Sequence, residues 1–286
     1  MREYLKLLRV HHYIKNVLVL APLACSGLFF HWQKLRDGVG AFFAFCMVSS
    51  IVYIINDIKD RDKDRNHPTK KNRPIASGAV TIKTGMFIIV TLAVLVSLLS
   101  FILHKGNAAI LLLVYIAINI AYSFWLKRIP IIDVTVLVSG FLIRMIYGSI
   151  ITEISISNWL YLTVMALSFY FALGKRRNEI KQVETDETRS VLSAYPFSFL
   201  DKNMGMFLTL ANTFYALWSM DTNTISMYKN KNLILTVPII FLITMKYSFD
   251  IEGTSDGDPV EVLLHDKILL CLCAIYIITM FIILYL

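Results

Sequence analysis

Charge is scarce in this chain. Only 17% of its 286 residues are Asp, Glu, Lys or Arg, below the roughly 25% of a soluble domain. Cysteine is scarce too. Cys25, Cys46, Cys271 and Cys273 all fall in apolar stretches, and none forms a C-x-x-C pair. That argues against a disulfide framework and a zinc site. His11, His12, His67 and His265 also lack zinc-ligand spacing. No nucleic-acid reader motif accompanies the net charge of +8, so the basic excess is not read as nucleic-acid binding. Low-complexity tracts and internal repeats are absent by inspection.

What the chain does have is apolar length. Hydrophobic residues make up 57% of it, above the usual 45–50% or so. They gather in nine nearly uncharged blocks, at 16–32, 39–56, 85–103, 108–126, 130–151, 157–173, 203–220, 231–247 and 267–286. Blocks of about 20 residues match the hydrocarbon core of a bilayer. They do not alternate as barrel strands do. Helices satisfy their own backbone groups in lipid, so the expectation is an all-α bundle of nine transmembrane helices in one domain over residues 1–286.

The N-terminal basic stretch before an apolar run also resembles a signal peptide. Pro22 and the later spans favour reading it as an uncleaved first helix. With the N-terminus placed inside, the inner segments carry 22 Lys and Arg and the outer ones five. The positive-inside rule then puts the N-terminus in the cytoplasm and the C-terminus outside. The inner loops after the second, sixth and eighth blocks are the long ones.

After the second block the chain reads Asn56-Asp57-Ile58-Lys59-Asp60-Arg61-Asp62-Lys63-Asp64-Arg65. If that helix continues, Asp57, Asp60 and Asp64 share a face about 60° wide, and Asp62 points away. Three carboxylates on one face need a counter-charge, and Mg²⁺ is a natural one. The plain alternative is a solvated charge run whose Asp and Lys/Arg side chains pair. The basic residues that follow, Arg65, Lys70, Lys71 and Arg73, suit a magnesium–diphosphate substrate: carboxylates for the metal, cations for the phosphates.

Asn56-Asp57-x-x-Asp60-x-x-x-Asp64 resembles the first aspartate motif of the UbiA-type intramembrane prenyltransferases. Nine helices with long cytoplasmic loops are similar to that superfamily over nearly the whole chain. The second aspartate motif of its aromatic prenyltransferases is missing. Ala172-Leu173-Gly174-Lys175-Arg176-Arg177 stands in that loop, and Glu184, Asp186 and Glu187 lack the D-x-x-x-D spacing. The basic triplet can also be an ordinary topology anchor.

Arg9–Asn16 (R-V-H-H-Y-I-K-N), His67–Gly78, Ala121–Lys127, the Lys175–Arg177 element and Gly257–Leu264 resemble the branch that moves a 5-phosphoribosyl group. Its donor is phosphoribosyl diphosphate (PRPP) and its acceptor a polyprenyl phosphate. The resemblance implies that Asp57, Asp60 and Asp64, helped by Asn56, bind Mg²⁺ on the donor diphosphate. It gives Lys15, Lys71, Arg73, Lys175, Arg176 and Arg177 the donor and acceptor phosphates, with Asn16 and Arg65 in the same motifs. Arabinose donors for cell-wall polymers are that branch's known destination. The size of the chain and its lack of a transit peptide look prokaryotic.

Asp133 and Arg144 lie in the fifth block, 11 residues apart and so on one helical face. Intramembrane charges usually face a cavity or a partner, so both are candidates, with Tyr122 and Lys127 at the level of Asp133. Each can equally be part of a structural ion pair. Asp258, Glu261 and Asp266 before the last block are either a further acidic group at the site or a solvated loop. Two rival readings remain: a prenyltransferase using a prenyl diphosphate and a small acceptor, and a non-catalytic transporter or scaffold.

Overall fold

The computed structural model describes all residues except Met1, Thr69, 104–105, 182–190, 229–231, 254–256, Asp258 and Leu286. Glu184, Asp186, Glu187 and Asp258 therefore lie outside the described residues. Among the described residues the fold is all-α, with no strand.

Its helices are α1 (Arg2–Leu8), α2 (Ala21–Ala24), α3 (Trp32–Lys59), α4 (Arg61–Arg65), α5 (Ile82–Ile102) and α6 (Gly106–Phe124). They continue with α7 (Ile132–Thr152), α8 (Asn158–Lys181), α9 (Phe197–Met220), α10 (Thr222–Tyr228), α11 (Val237–Ile251), α12 (Pro259–His265) and α13 (Lys267–Tyr285). Six helical segments among the described residues are long and apolar enough to cross a membrane: α3, α5, α6, α7, Asn232–Ile251 and α13. The chain is an integral, multi-pass membrane protein.

The nine expected blocks map onto this only in part. The first is not one α-helix but an 11-residue 3₁₀ segment, Val10–Leu20, followed by the single turn α2. Two features go with this, one local and one distant in sequence. Pro22 brings no backbone N–H to continue a helix through the block. The carbonyl of Val19 also packs straight onto Gly148, where an added Cβ would lie only 1.8 Å away. The blocks at 157–173 and 203–220 form α8 and α9, 24 residues each, which are not among those six segments.

The chain divides into two compact units. One comprises Met1–Ala24, Leu28–Phe124 and Ile143–Ser155; the other comprises Cys25–Gly27, Trp125–Leu142 and Ile156–Leu286. Helix α7 contributes to both.

In the first unit, α3 turns Ala41, Ala44, Phe45, Val48 and Val52 inward. They pack with Ala108, Leu112 and Tyr115 of α6 and Tyr147 and Ile151 of α7. That stripe follows the three-and-four spacing of a helix face. A smaller cluster of Leu7, Ile54, Ile75 and Val80 pins α1 and the segment after α4 to the end of α3. Helix α5 starts with a Thr81 cap, whose hydroxyl accepts the Thr84 amide at 3.1 Å. Gly85 is its only buried residue, so its apolar surface suits lipid.

The second unit is organised by α8 and α9. Tyr170 and Leu173 pack on Leu200 and Met204, and Phe169 stacks on Phe207 at 4.6 Å. The chain after α11 lies against α8. Gly257 adopts φ +75°, and a Cβ there would come within 3.1 Å of the Gly174 carbonyl. Asn178 donates to the Ile251 carbonyl at 2.7 Å.

Candidate active site

In the first unit the aspartate segment breaks rather than running on as one helix. Helix α3 stops at Lys59, Asp60 takes φ −89° and ψ 6°, and α4 begins at Arg61. Asp57 and Asp64 are nonetheless both buried and meet at one cation. Arg73 Nη1 lies 2.7 Å from Asp64 Oδ2 and 3.3 Å from Asp57 Oδ1. Asp60 is half-buried, and Asp62 faces solvent as expected.

Asp57 has a second arginine that sequence reasoning did not place in the site. Arg9 Nη2 donates to Asp57 Oδ1 at 2.7 Å, and its guanidinium lies 4.6 Å over the Tyr53 ring. Arg9 sits in the left-handed region, φ 52° and ψ 49°, which costs a non-glycine residue energy. Leu7, fully buried, holds the chain just before it. The signal was invisible in sequence because the pair spans 48 residues.

These residues pass a test for a hard divalent cation. Two buried carboxylates converge on one nitrogen, and the Oδ1 of Asn56, the residue before Asp57, is buried without a hydrogen-bond partner. Mg²⁺ needs only one or two carboxylates when substrate phosphates and water complete its shell. Among the described residues, no group of three or more His, Cys, Asp or Glu could hold a metal alone. Any ion here must therefore draw ligands from amide, water or substrate.

The basic residues nearby divide. Lys71 is exposed. Arg65 instead braces the loop, donating to the Ala76 carbonyl at 3.0 Å. Lys15, on the 3₁₀ segment, and Tyr122, at the end of α6, are half-buried.

Asn16 belongs to a buried polar cluster. Its Oδ1 accepts from Arg144 Nε at 2.8 Å and Ser49 Oγ at 3.3 Å. Arg144 Nη2 also donates to the Tyr115 hydroxyl at 3.0 Å, and the guanidinium lies 4.9 Å from the Phe45 ring centroid. This cluster ties the 3₁₀ segment to α3, α6 and α7.

In the second unit the basic triplet lies inside α8, which continues to Lys181. Successive helical residues point about 100° apart, so the three cations diverge. Arg176 is 1% exposed and donates from Nε to Asp133 Oδ2 at 2.6 Å and from Nη1 to Glu179 at 2.8 Å. Arg177 lies 2.9 Å from Asp201 and 2.7 Å from Glu252, at ion-pair distance without hydrogen-bond alignment. Lys175 is half-buried.

Asp133 has a further partner that sequence reasoning missed. The Tyr195 hydroxyl donates to its Oδ1 at 2.5 Å and accepts the Ile131 amide at 2.5 Å. Burial first, and Asp133 next, push the Tyr195 phenol well above its ordinary value, so it stays a donor at neutral pH. Ile131 stands at φ +69°, rare for a β-branched residue. Lys127 is half-buried in the short 3₁₀ turn just before it.

Among the described residues, the acidic side chains before α13 do not gather into a metal set. Asp266 accepts from Lys246 at 2.7 Å and from the Leu269 amide at 2.6 Å. Glu261 is exposed.

A profile of the UbiA prenyltransferase family matches residues 17–259. The decaprenyl-phosphate phosphoribosyltransferase of Mycolicibacterium smegmatis is 35% identical over 93% of the chain and 87% of its own length. The enzyme of the same name from Corynebacterium glutamicum is 34% identical over 97% of the chain and 88% of its own length. A UbiA homolog from Archaeoglobus fulgidus, solved with GPP and Mg²⁺, superposes with a TM-score of 0.70 at 17% identity, covering 99% of both chains.

Proposed function

The chain belongs to the UbiA prenyltransferase family and is a transferase, and from that premise we propose that it moves a 5-phosphoribosyl group from PRPP to a polyprenyl phosphate. The observation that carries this reading is identity of about a third, along nearly the whole chain, to relatives named for that reaction. The second aspartate motif of aromatic prenyltransferases is absent, which supports the same choice.

In the reaction, an oxygen of the lipid phosphate bonds to the anomeric carbon of the ribose. The bond from that carbon to the diphosphate breaks, and diphosphate leaves with the electron pair. The acceptor is already anionic at neutral pH, so no strong base is required.

Asp57, Asp60, Asp64 and Asn56 are assigned to a Mg²⁺ ion on the donor diphosphate. When bound, that ion supplies neutralisation of the leaving-group charge. Arg73 and Lys71 take diphosphate oxygens, and Lys15 a phosphate oxygen. Lys175 is assigned a phosphate as well. Tyr122 and Lys127 complete the polar contacts. Asn16 and Arg144 fix the 3₁₀ segment that carries Lys15, and Arg65 fixes the loop that carries Lys71 and Arg73. Asp133, Arg176 and Arg177 hold the end of α8 that carries Lys175.

The topology proposed with this reading is nine crossings of a prokaryotic cell membrane by one functional domain, with the N-terminus cytoplasmic and the C-terminus outside. The test is a paired donor assay on purified protein with Mg²⁺. One arm contains labelled PRPP and polyprenyl phosphate; the other contains labelled prenyl diphosphate and aromatic acids. Pentose label entering the lipid, abolished by EDTA, is the expected outcome. Transfer from the prenyl diphosphate alone would overturn the donor assignment, and flux in proteoliposomes with no product would overturn enzymatic function.

A further inference from the structure

We propose that Arg9 and Arg73 form a cationic latch on Asp57 and Asp64, so that a divalent cation loads only together with a diphosphate. This rests on the reading that these aspartates hold a metal on a diphosphate. It does not depend on which group that diphosphate carries.

The argument begins with position. Arg73 Nη1 is within 3.3 Å of oxygens on both carboxylates, so a guanidinium nitrogen lies where a shared metal would bind. Arg9 Nη2 takes the same Asp57 oxygen at 2.7 Å. A metal bridging the two aspartates must displace Arg73 and compete with Arg9 for Asp57 Oδ1.

Charge balance gives the direction. The two buried carboxylates that pair with Arg9 and Arg73 are already neutralised by them. A divalent cation alone would add two uncompensated positive charges beside two guanidinium groups, which repel it. A diphosphate arriving with the ion brings the negative charge that offsets this. Its oxygens also offer the displaced arginines the paired acceptors that guanidinium groups favour.

Backbone geometry gives an independent reason to treat Arg9 as placed for this task. Its left-handed conformation, φ 52°, falls at the joint between α1 and the 3₁₀ segment. Leu7 anchors the preceding turn in the cluster with Ile54, Ile75 and Val80. The reach of Arg9 to Asp57 is thus held from the backbone, and such strain commonly marks a working position. Asn56, one residue before Asp57 on α3, adds a buried Oδ1 that makes no hydrogen bond.

Equilibrium dialysis of the purified full chain against Mn²⁺, at a buffered free concentration with and without pyrophosphate, tests the latch. Wild-type protein is expected to bind Mn²⁺ weakly alone and about tenfold or more tightly with pyrophosphate, a usual size for coupled ligands. Arg9→Met should bind Mn²⁺ alone more tightly than wild type and gain less from pyrophosphate. Arg9→Lys should resemble wild type.

Equal wild-type affinity in both arms would overturn the latch even if Arg9→Met proves unable to fold. Unchanged Mn²⁺ affinity in a folded Arg9→Met protein would also overturn it. No bound Mn²⁺ in any arm would remove the metal reading itself, and the latch with it. Because the assay contains no ribose and no prenyl group, failure of the PRPP assignment leaves its result intact.

Discussion

The Tyr195 hydroxyl spans Asp133 and the Ile131 amide, 2.5 Å from each. It thereby fastens the chain just ahead of α9 to the start of α7. Asp133 passes the connection to Arg176 on α8. Removing the hydroxyl leaves a strained Ile131 amide without its acceptor and Asp133 without one donor. Tyr195→Phe is therefore expected to cost about 1–3 kcal/mol, seen as a lower melting temperature in detergent. Asp133→Ala strands the buried Arg176 and should cost more, about 3–5 kcal/mol.

Lys175 and Arg176 are neighbours in sequence with opposite expected phenotypes. Arg176 is sealed between Asp133 and Glu179, so Arg176→Ala should lower stability first and activity as a consequence. Lys175→Ala should lower kcat/KM in a protein that still folds, with the melting temperature read alongside turnover. A Lys175→Ala enzyme with wild-type turnover would remove this lysine from the site.

This difference marks the boundary of what the sequence carried. The apolar blocks, the all-α class and the acid-then-base segment after α3 are local patterns, and local patterns are readable. Whether a cation is free or spoken for depends on residues far along the chain. Arg176 finds Asp133 across 43 positions, and Arg9 finds Asp57 across 48. The triplet at 175–177 looked like one basic patch because its helical continuation, which splays the side chains, was not anticipated. The 3₁₀ form of the first block goes with a contact equally far along the chain, that of Val19 with Gly148.

Gly148 therefore makes a sharp test of that contact. A methyl group there would overlap the Val19 carbonyl at 1.8 Å, and the atom it meets is backbone. Gly148→Ala should destabilise the protein by about 4 kcal/mol or more, read as loss of folded protein after extraction. An alanine variant as stable as wild type would mean that Val10–Leu20 does not pack on α7 this way.

Acid sensitivity should have a contribution from Asp266. Its hydrogen bond with Lys246, and next that from the Leu269 amide, hold its carboxyl below the ordinary range. A carboxyl lowered on folding adds stability above its unfolded value of about 4. That contribution is lost as pH falls through the folded value. Asp266→Asn should thus reduce stability at neutral pH and flatten the fall in melting temperature on acidification below about pH 4. Parallel acid limbs for both proteins would show that the Lys246 pairing does not matter to folding.

The three aspartates should separate by what each also holds together. Asp57 and Asp64 are buried and pair with Arg9 and Arg73, so their alanine variants should lose both stability and activity. Asp60 stands between α3 and α4 and makes no side-chain capping bond there. Asp60→Ala should lower kcat/KM by about 100-fold or more through loss of a ligand to the ion. Excess Mg²⁺ should recover part of its activity, because a weakened site fills at higher concentration, and EDTA should silence the wild-type enzyme reversibly. Full activity of Asp60→Ala at limiting Mg²⁺ would confine the metal to Asp57, Asp64 and Asn56.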